Sequence, residues 1–148
     1  MTDIKLVALD GEDLAVLSAH VQDAIVRVGE LTYLPADKRF VALLSRFDWM
    51  GAEAPKRRTK ENFERRQSGL RIDQVERAQL MGFLPGDDKK VLSLLAISFE
   101  ETAPPAGIVT LHFSGDAAVA LHVACVEVEL KDLGAAWATG KRPAHPDQ

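Results

Sequence analysis

Clusters of turn-forming residues divide much of this chain into short apolar segments, and this spacing limits the folds that the chain can adopt. The clusters are Pro35-Ala36-Asp37-Lys38, Pro85-Gly86-Asp87-Asp88, Pro104-Pro105-Ala106-Gly107 and Ser114-Gly115-Asp116-Ala117. Proline, glycine and aspartate favour tight turns. The apolar segments predict strands at residues 25–34, 39–49, 69–82, 91–100, 107–114 and 118–124. Because turns this short cannot carry a parallel crossover, these strands are expected to pair antiparallel.

The N-terminal part predicts a strand followed by a helix. Residues 4–9, IKLVAL, are typical of a short buried strand. Asp10 is a natural N-cap, with Asp13 in the capping-box position, and apolar residues then recur at helical spacing, which predicts a helix over residues 11–24. Within the strand at 25–34, Gly29 predicts a bulge or bend.

The C-terminal part predicts a second helix, from Cys125 to Trp137. Val126, Leu130 and Leu133 fall on one helical face with Trp137. The tail, residues 139–148, has no apolar periodicity and is expected to be mobile.

These elements predict an α+β domain with a helix near each end. A meander of about seven short strands is expected to curl into a strongly bent antiparallel sheet or partial barrel, with a C-terminal helix capping its open side. This plan resembles the architecture of pleckstrin-homology-like domains. With 148 residues, the chain predicts a single domain over residues 1–138.

Composition excludes several classes of protein. The chain has one cysteine, Cys125, so it forms no internal disulfide. It has no apolar run long enough for a membrane helix and no basic, apolar leader at its start, which predicts a cytoplasmic protein with no membrane partner. Net charge is −4, yet residues 56–66 hold six basic and two acidic residues, so this segment carries +4 and the remainder −8. Such an acidic remainder disfavours nucleic acid as the partner.

Four stretches together resemble a known bacterial family. They are LVALDGEDLAVLSAHVQDAIVRVGELTYLP, RFVALLSRFDW, VLSLLAISFE and CVEVELKDLGAAWATGKRPAHP. They are similar to an uncharacterised alphaproteobacterial domain-of-unknown-function family of about this length, catalogued as twenty-nine forty-eight, over nearly the whole chain. The resemblance implies a bacterial cytoplasmic protein, and it supplies no activity, cofactor or catalytic residue.

No catalytic or cofactor motif is present in the sequence. Phosphate-loop, dinucleotide, nucleophile-elbow, zinc-protease and CxxC patterns are all missing, so neither a catalytic residue nor a cofactor is predicted. His112, His122 and Cys125 would approach a zinc-ligand set only if the two histidines shared a face. A one-residue change of register would separate them, and a buried thiol beside half-exposed histidines is favoured, so no metal site is predicted.

Two segments are candidates for binding. Arg46, Asp48 and Trp49 end a strand before the basic loop, where they could hold a planar or anionic ligand. Alternation instead favours Arg46 and Asp48 as a surface pair, with Phe47 and Trp49 turned inward. The basic loop, residues 56–66, adds Arg57, Arg58, Arg65 and Arg66.

The sequence therefore favours a non-enzymatic binding or adaptor domain that contacts a protein partner through the basic loop. One alternative is a small enzyme or metabolite-binding protein with a polar pocket built around Arg46, Asp48 and His122. Another is anion or nucleic-acid binding through the loop. Pairing of edge strands between subunits would give a homodimer, which the pattern leaves open.

Overall fold

The computed structural model describes residues 4–47, 65–84 and 86–133, and most of these residues lie in one antiparallel sheet. The described α-helix is α1 (Gly11–His20). The strands are β1 (Lys5–Ala8), β2 (Ala24–Leu34), β3 (Arg39–Phe47), β4 (Arg65–Asp73), β5 (Val75–Met81), β6 (Val91–Glu101), β7 (Gly107–Phe113), β8 (Ala118–Val123) and β9 (Val128–Asp132). Their order across the nine-stranded sheet is β1-β9-β4-β3-β2-β6-β7-β8-β5, and every ladder is antiparallel.

The sheet bends back so that its two halves share one core. The first half is β1-β9-β4-β3-β2, and the second is β6-β7-β8-β5. Strands β4 and β5 are separated only by Gln74, whose φ of +62° is left-handed. This residue turns the chain from the middle of the first half to the far edge of the second. Alternate apolar side chains of both halves, Leu44 and Leu70 among them in the first and Leu111 and Leu121 in the second, belong to the same buried cluster.

Helix α1 begins where the sequence predicts and covers part of the core. The Asp13 backbone N–H donates to the Asp10 carboxylate at 2.8 Å, which is the predicted N-cap. Leu14 and Leu17 are buried beneath the helix. It ends earlier than predicted because Asp23 takes a left-handed φ of +66° and Ala24 already starts β2. The predicted bulge at Gly29 is confirmed by a register shift between Val26 and Leu31.

The predicted fold class is wrong, since the described chain is mostly sheet and has nine strands instead of seven. The predicted strand over residues 69–82 is two strands, because the kink at Gln74 sends β4 and β5 to different neighbours. No described ladder joins β5 to β1, so the sheet is not closed into a barrel.

The predicted C-terminal capping helix is also wrong where the structure describes it. Residues Val128–Asp132 form β9, which inserts between β1 and β4. Val128 and Leu130 face inward while Glu129 faces outward, a period of two that only a strand satisfies. Residues beyond 133, including Trp137 and the tail at 139–148, lie outside the described residues.

Candidate functional site

Arg46 lies on the inner face of β3, which corrects the prediction that it faces solvent. Its side chain is 1% exposed and forms a two-pronged ion pair with Asp132 on β9. Arg46 Nε donates to Asp132 Oδ1 at 3.0 Å, and Nη2 donates to Oδ2 at 2.9 Å. Such a paired geometry is the strongest form of arginine–carboxylate contact. The pair links β3 to β9 across β4, and because it is buried in the interior it offers no surface to a ligand.

Two further donors hold the Asp132 carboxylate. The Ser68 hydroxyl donates to Oδ1 at 2.6 Å, and the Ile4 backbone N–H donates to Oδ2 at 2.9 Å. Burial acts to raise the pKa of Asp132, but the hydrogen bonds from Arg46, Ser68 and Ile4 outweigh it, so the pKa is lowered. A buried carboxylate that stays ionised at neutral pH is unsuited to act as a general acid.

Acid should selectively remove the contribution of Asp132 to stability. Its folded pKa lies below the ordinary 3.8, so its stabilisation is fully present above that value and is lost as pH falls through the folded pKa. We expect the stability difference between wild type and Asp132→Asn to shrink below pH 3.8. Urea unfolding at several pH values measures it. A difference that stays constant down to the lowest pH at which wild type folds would contradict the lowered pKa.

The other predicted binding residues are partly outside the described chain. Arg65 and Arg66 belong to β4 and not to a loop. The Arg65 guanidinium lies 4.6 Å from the centre of the Phe47 ring, a cation–π contact, and Arg66 is 1% exposed beside Asp132. Asp48, Trp49, Arg57 and Arg58 fall outside the described residues. Reversing all four loop arginines would therefore alter the core as well as the surface.

The histidines share the outer face of the second half of the sheet without converging. His112 pairs across the ladder with Ala118, whereas His122 pairs with Ile108. Four residues along a strand amount to about 13 Å, so no single ion bridges the two rings. His112 contacts Ser98 at 2.7 Å, and His122 contacts Gln79 at 3.0 Å. Within residues 4–47, 65–84 and 86–133, no cluster suited to a metal ion is found.

The metabolite-pocket hypothesis needs Arg46 and His122 to converge, and the structure does not bring them together. Arg46 points into the core from β3, while His122 lies on the outer face of β8 in the other half of the sheet.

The open cavity of interest lies on the outer face of β2, β3, β4 and β9, and we call it the outer groove. Its volume is about 510 Å³. Gly69 forms the floor because it presents no side chain in the middle of β4, and Val41, Leu43 and Leu133 make the apolar walls. At one end the bulge of β2 opens the surface further at Gly29, Glu30 and Thr32.

The rim of the outer groove is charged. Arg71 Nη2 contacts Glu129 at 2.7 Å, and Lys5 Nζ contacts the same carboxylate at 3.4 Å. Lys131 lies directly opposite Lys5 across the β1–β9 ladder and forms no ion pair with a described residue. Like charges in directly opposed positions are unfavourable. The β9 end is therefore the positive end of the groove, and Glu30 makes the β2 end negative.

Comparison with known proteins adds one finding. Residues 4–145 match the family described as "Protein of unknown function (DUF2948)". The chain belongs to this family. The resemblance seen in the sequence is thereby confirmed, and membership assigns no ligand. No curated protein and no solved structure matches the chain. Separately, no helix in the described part of the chain is long and apolar enough to span a membrane.

Sequence reasoning missed both Asp132 and the outer groove. In the predicted helix from Cys125 to Trp137, Asp132 lies off the apolar face, whereas VEVEL at 126–130 alternates strictly and places Asp132 in phase with Val128 and Leu130. The groove had a weaker signal, a glycine inside a strand at Gly69, which is a recognised mark of close approach by another group.

Proposed function

We propose that this protein is a non-enzymatic binding domain that holds an extended segment of a partner protein in the outer groove. One observation carries the proposal: the outer groove, with a volume of about 510 Å³, crosses four strands and has an apolar floor at Gly69 and a charged rim. An apolar centre within a polar rim is the usual anatomy of a protein-binding surface. The basic loop, of which only Arg65 and Arg66 are described, is not needed for it.

The charges define the kind of segment that fits. Lys131 at the β9 end would attract a carboxylate, since it already faces Lys5 and has no described acid of its own. Glu30 at the β2 end would attract a basic side chain. The span from β9 to β2 is three strand spacings, about 14 Å, which an extended chain covers in four to five residues. We therefore expect an acidic residue, one or two aliphatic residues over Gly69, and a basic residue.

Filling the floor should weaken binding at least tenfold while the protein still folds. A Cβ at Gly69 would lie 3.6 Å from both methyl groups of Leu133, which is ordinary contact, and the further carbons of Gly69→Ile would extend into the groove beside Leu133. A random peptide display library selected against wild type should enrich the acid–aliphatic–base pattern. The enriched peptides should bind Gly69→Ile at least tenfold more weakly by fluorescence anisotropy.

The matched control adds an aliphatic side chain to the outer face of the other half of the sheet. Thr110 lies there, opposite Ser98 and Ala120, so Thr110→Ile should bind the peptides as wild type does. Lys131→Glu should shift the selected pattern from an acid to a base at that end. Peptides that bind Gly69→Ile and wild type equally, or a library that yields no binder, would overturn the proposal.

A further inference from the structure

One edge of β5 pairs with no strand in the described part of the chain, and it lies apart from the outer groove. Strand β5 ends the sheet order, and it pairs with β8 on one side while no described strand pairs with the other. Three large apolar side chains are exposed at the C-terminal end of β5 or just after it: Leu80 at 53%, Met81 at 46% and Leu84 at 70%. Its seven residues, VERAQLM, include neither proline nor lysine, the residues that commonly protect edges.

The backbone direction shows which residues of β5 present hydrogen-bonding groups to the free edge. The Ala124 N–H donates to the Gln74 carbonyl at 3.0 Å, so it points toward the β4–β5 segment. By alternation the backbone of His122, two residues earlier, points the same way and engages its ladder partner Arg77. Ala78 and Leu80 therefore direct their N–H and C=O groups away from β8, and Gln79 directs its own toward it.

We infer that β5 pairs antiparallel with β5 of a second copy of this chain, about a two-fold axis at Gln79. In this register Ala78 lies opposite Leu80 of the second copy, and the reverse pair follows by symmetry. Both are pairs whose backbone groups face the edge, so each forms two hydrogen bonds. Two leucines and two alanines then make a continuous apolar patch on one face of the joined sheet.

Charge disfavours one alternative register. A two-fold axis at Arg77 would place that guanidinium against its own copy, which is unfavourable. With the axis at Gln79, Arg77 lies opposite Met81 of the second copy and Glu76 lies beyond the paired residues. This register therefore places no like charges in opposed positions, which favours a closed two-fold interface.

Light scattering after size-exclusion chromatography tests the association of the two copies, because it measures the mass of the particle over a wide range of protein concentration. We expect a dimer for wild type and a monomer for Leu80→Lys, whose ammonium would enter the apolar patch. The matched control is Leu95→Lys: Leu95 is 46% exposed on β6, away from the edge, and its variant should remain a dimer. A wild type that is monomeric throughout, or equal masses for the two variants, would overturn the inference.

Cross-linking tests the register independently, in a Cys125→Ser background because Cys125 is a free thiol. Gln79 and its copy form a pair without mutual hydrogen bonds, with Cα atoms about 4.5 Å apart, which falls within the span of a disulfide of roughly 4.4–6.8 Å. Gln79→Cys should therefore form a disulfide dimer under mild oxidation. Arg77→Cys should not, since its two copies lie about 13 Å apart along the strands. Cross-linking through position 77 and not 79 would refute the register.

Gly69→Ile should dimerise normally, so failure of the groove proposal and failure of this one are distinguishable.

Discussion

Replacing Asp132 with asparagine is expected to lower the free energy of unfolding by about 3–5 kcal/mol, the range found when one member of a buried ion pair is removed. The variant would leave the Arg46 guanidinium, 1% exposed, without the carboxylate that receives two of its hydrogen bonds. Urea denaturation followed by circular dichroism measures the change. A typical domain is stable by only 5–15 kcal/mol, so the loss would be a large part of the total.

The same strand supplies the matched control. Glu129 on β9 also pairs with an arginine, but its partner Arg71 is 43% exposed. Since both cationic partners of Glu129, Arg71 and Lys5, are exposed to solvent, Glu129→Gln should cost only about 1 kcal/mol. In a double-mutant cycle, Arg46→Met and Asp132→Asn should be non-additive, because each already breaks the same pair. Equal losses for Asp132→Asn and Glu129→Gln, or strict additivity in the cycle, would contradict the role assigned to the buried pair.

Adding one methyl group at Gly107 is expected to destabilise the protein by about 1–3 kcal/mol, the usual penalty of overpacking. A Cβ there would meet the Phe99 ring and would lie 2.5 Å from the backbone oxygen of Glu100. Since a backbone oxygen cannot turn aside as a flexible side chain can, the β6–β7 hairpin would have to shift. Thermal and urea unfolding of Gly107→Ala measure the loss.

Gly69→Ala is the counterpart, because it is also a glycine inside a strand. Its Cβ would meet only Leu133, at 3.6 Å. Removing a glycine from a compatible strand position reduces the entropy of the unfolded chain, so Gly69→Ala should be neutral or stabilising by about 0.4–1 kcal/mol. If both alanine variants lost stability equally, the description of Gly69 as the floor of an open groove would be wrong.

Local chemistry made several elements predictable from the sequence. The N-cap of α1 depends on Asp10 and its immediate neighbours, and the bulge at Gly29 depends on a residue without a side chain inside a strand. Both are short-range effects. The turns that separate β6, β7 and β8 follow from proline, glycine and aspartate in the same way. These features appear in the structure close to where the sequence places them.

Features that depend on distant partners were not predictable in this way. In residues 125–133, the valines and leucines fit both helical spacing and strand alternation. The segment forms a strand because it pairs with β1 on one side and with β4 on the other. Arginine is usually found at the surface. Arg46 can be buried because it pairs with Asp132, which lies 86 positions further along the chain and is not a local neighbour in the sequence.

Sequence patterns alone predict the short antiparallel segments, the start of α1, the absence of an internal disulfide and membership of the family. Three features follow only from the folded chain: which strands are neighbours, the inward direction of Arg46, and the groove that Gly69 opens on the outer face. The physical reason is that turns and caps are stabilised by adjacent residues, whereas strand neighbours and buried ion pairs are stabilised by contacts between residues far apart in the chain.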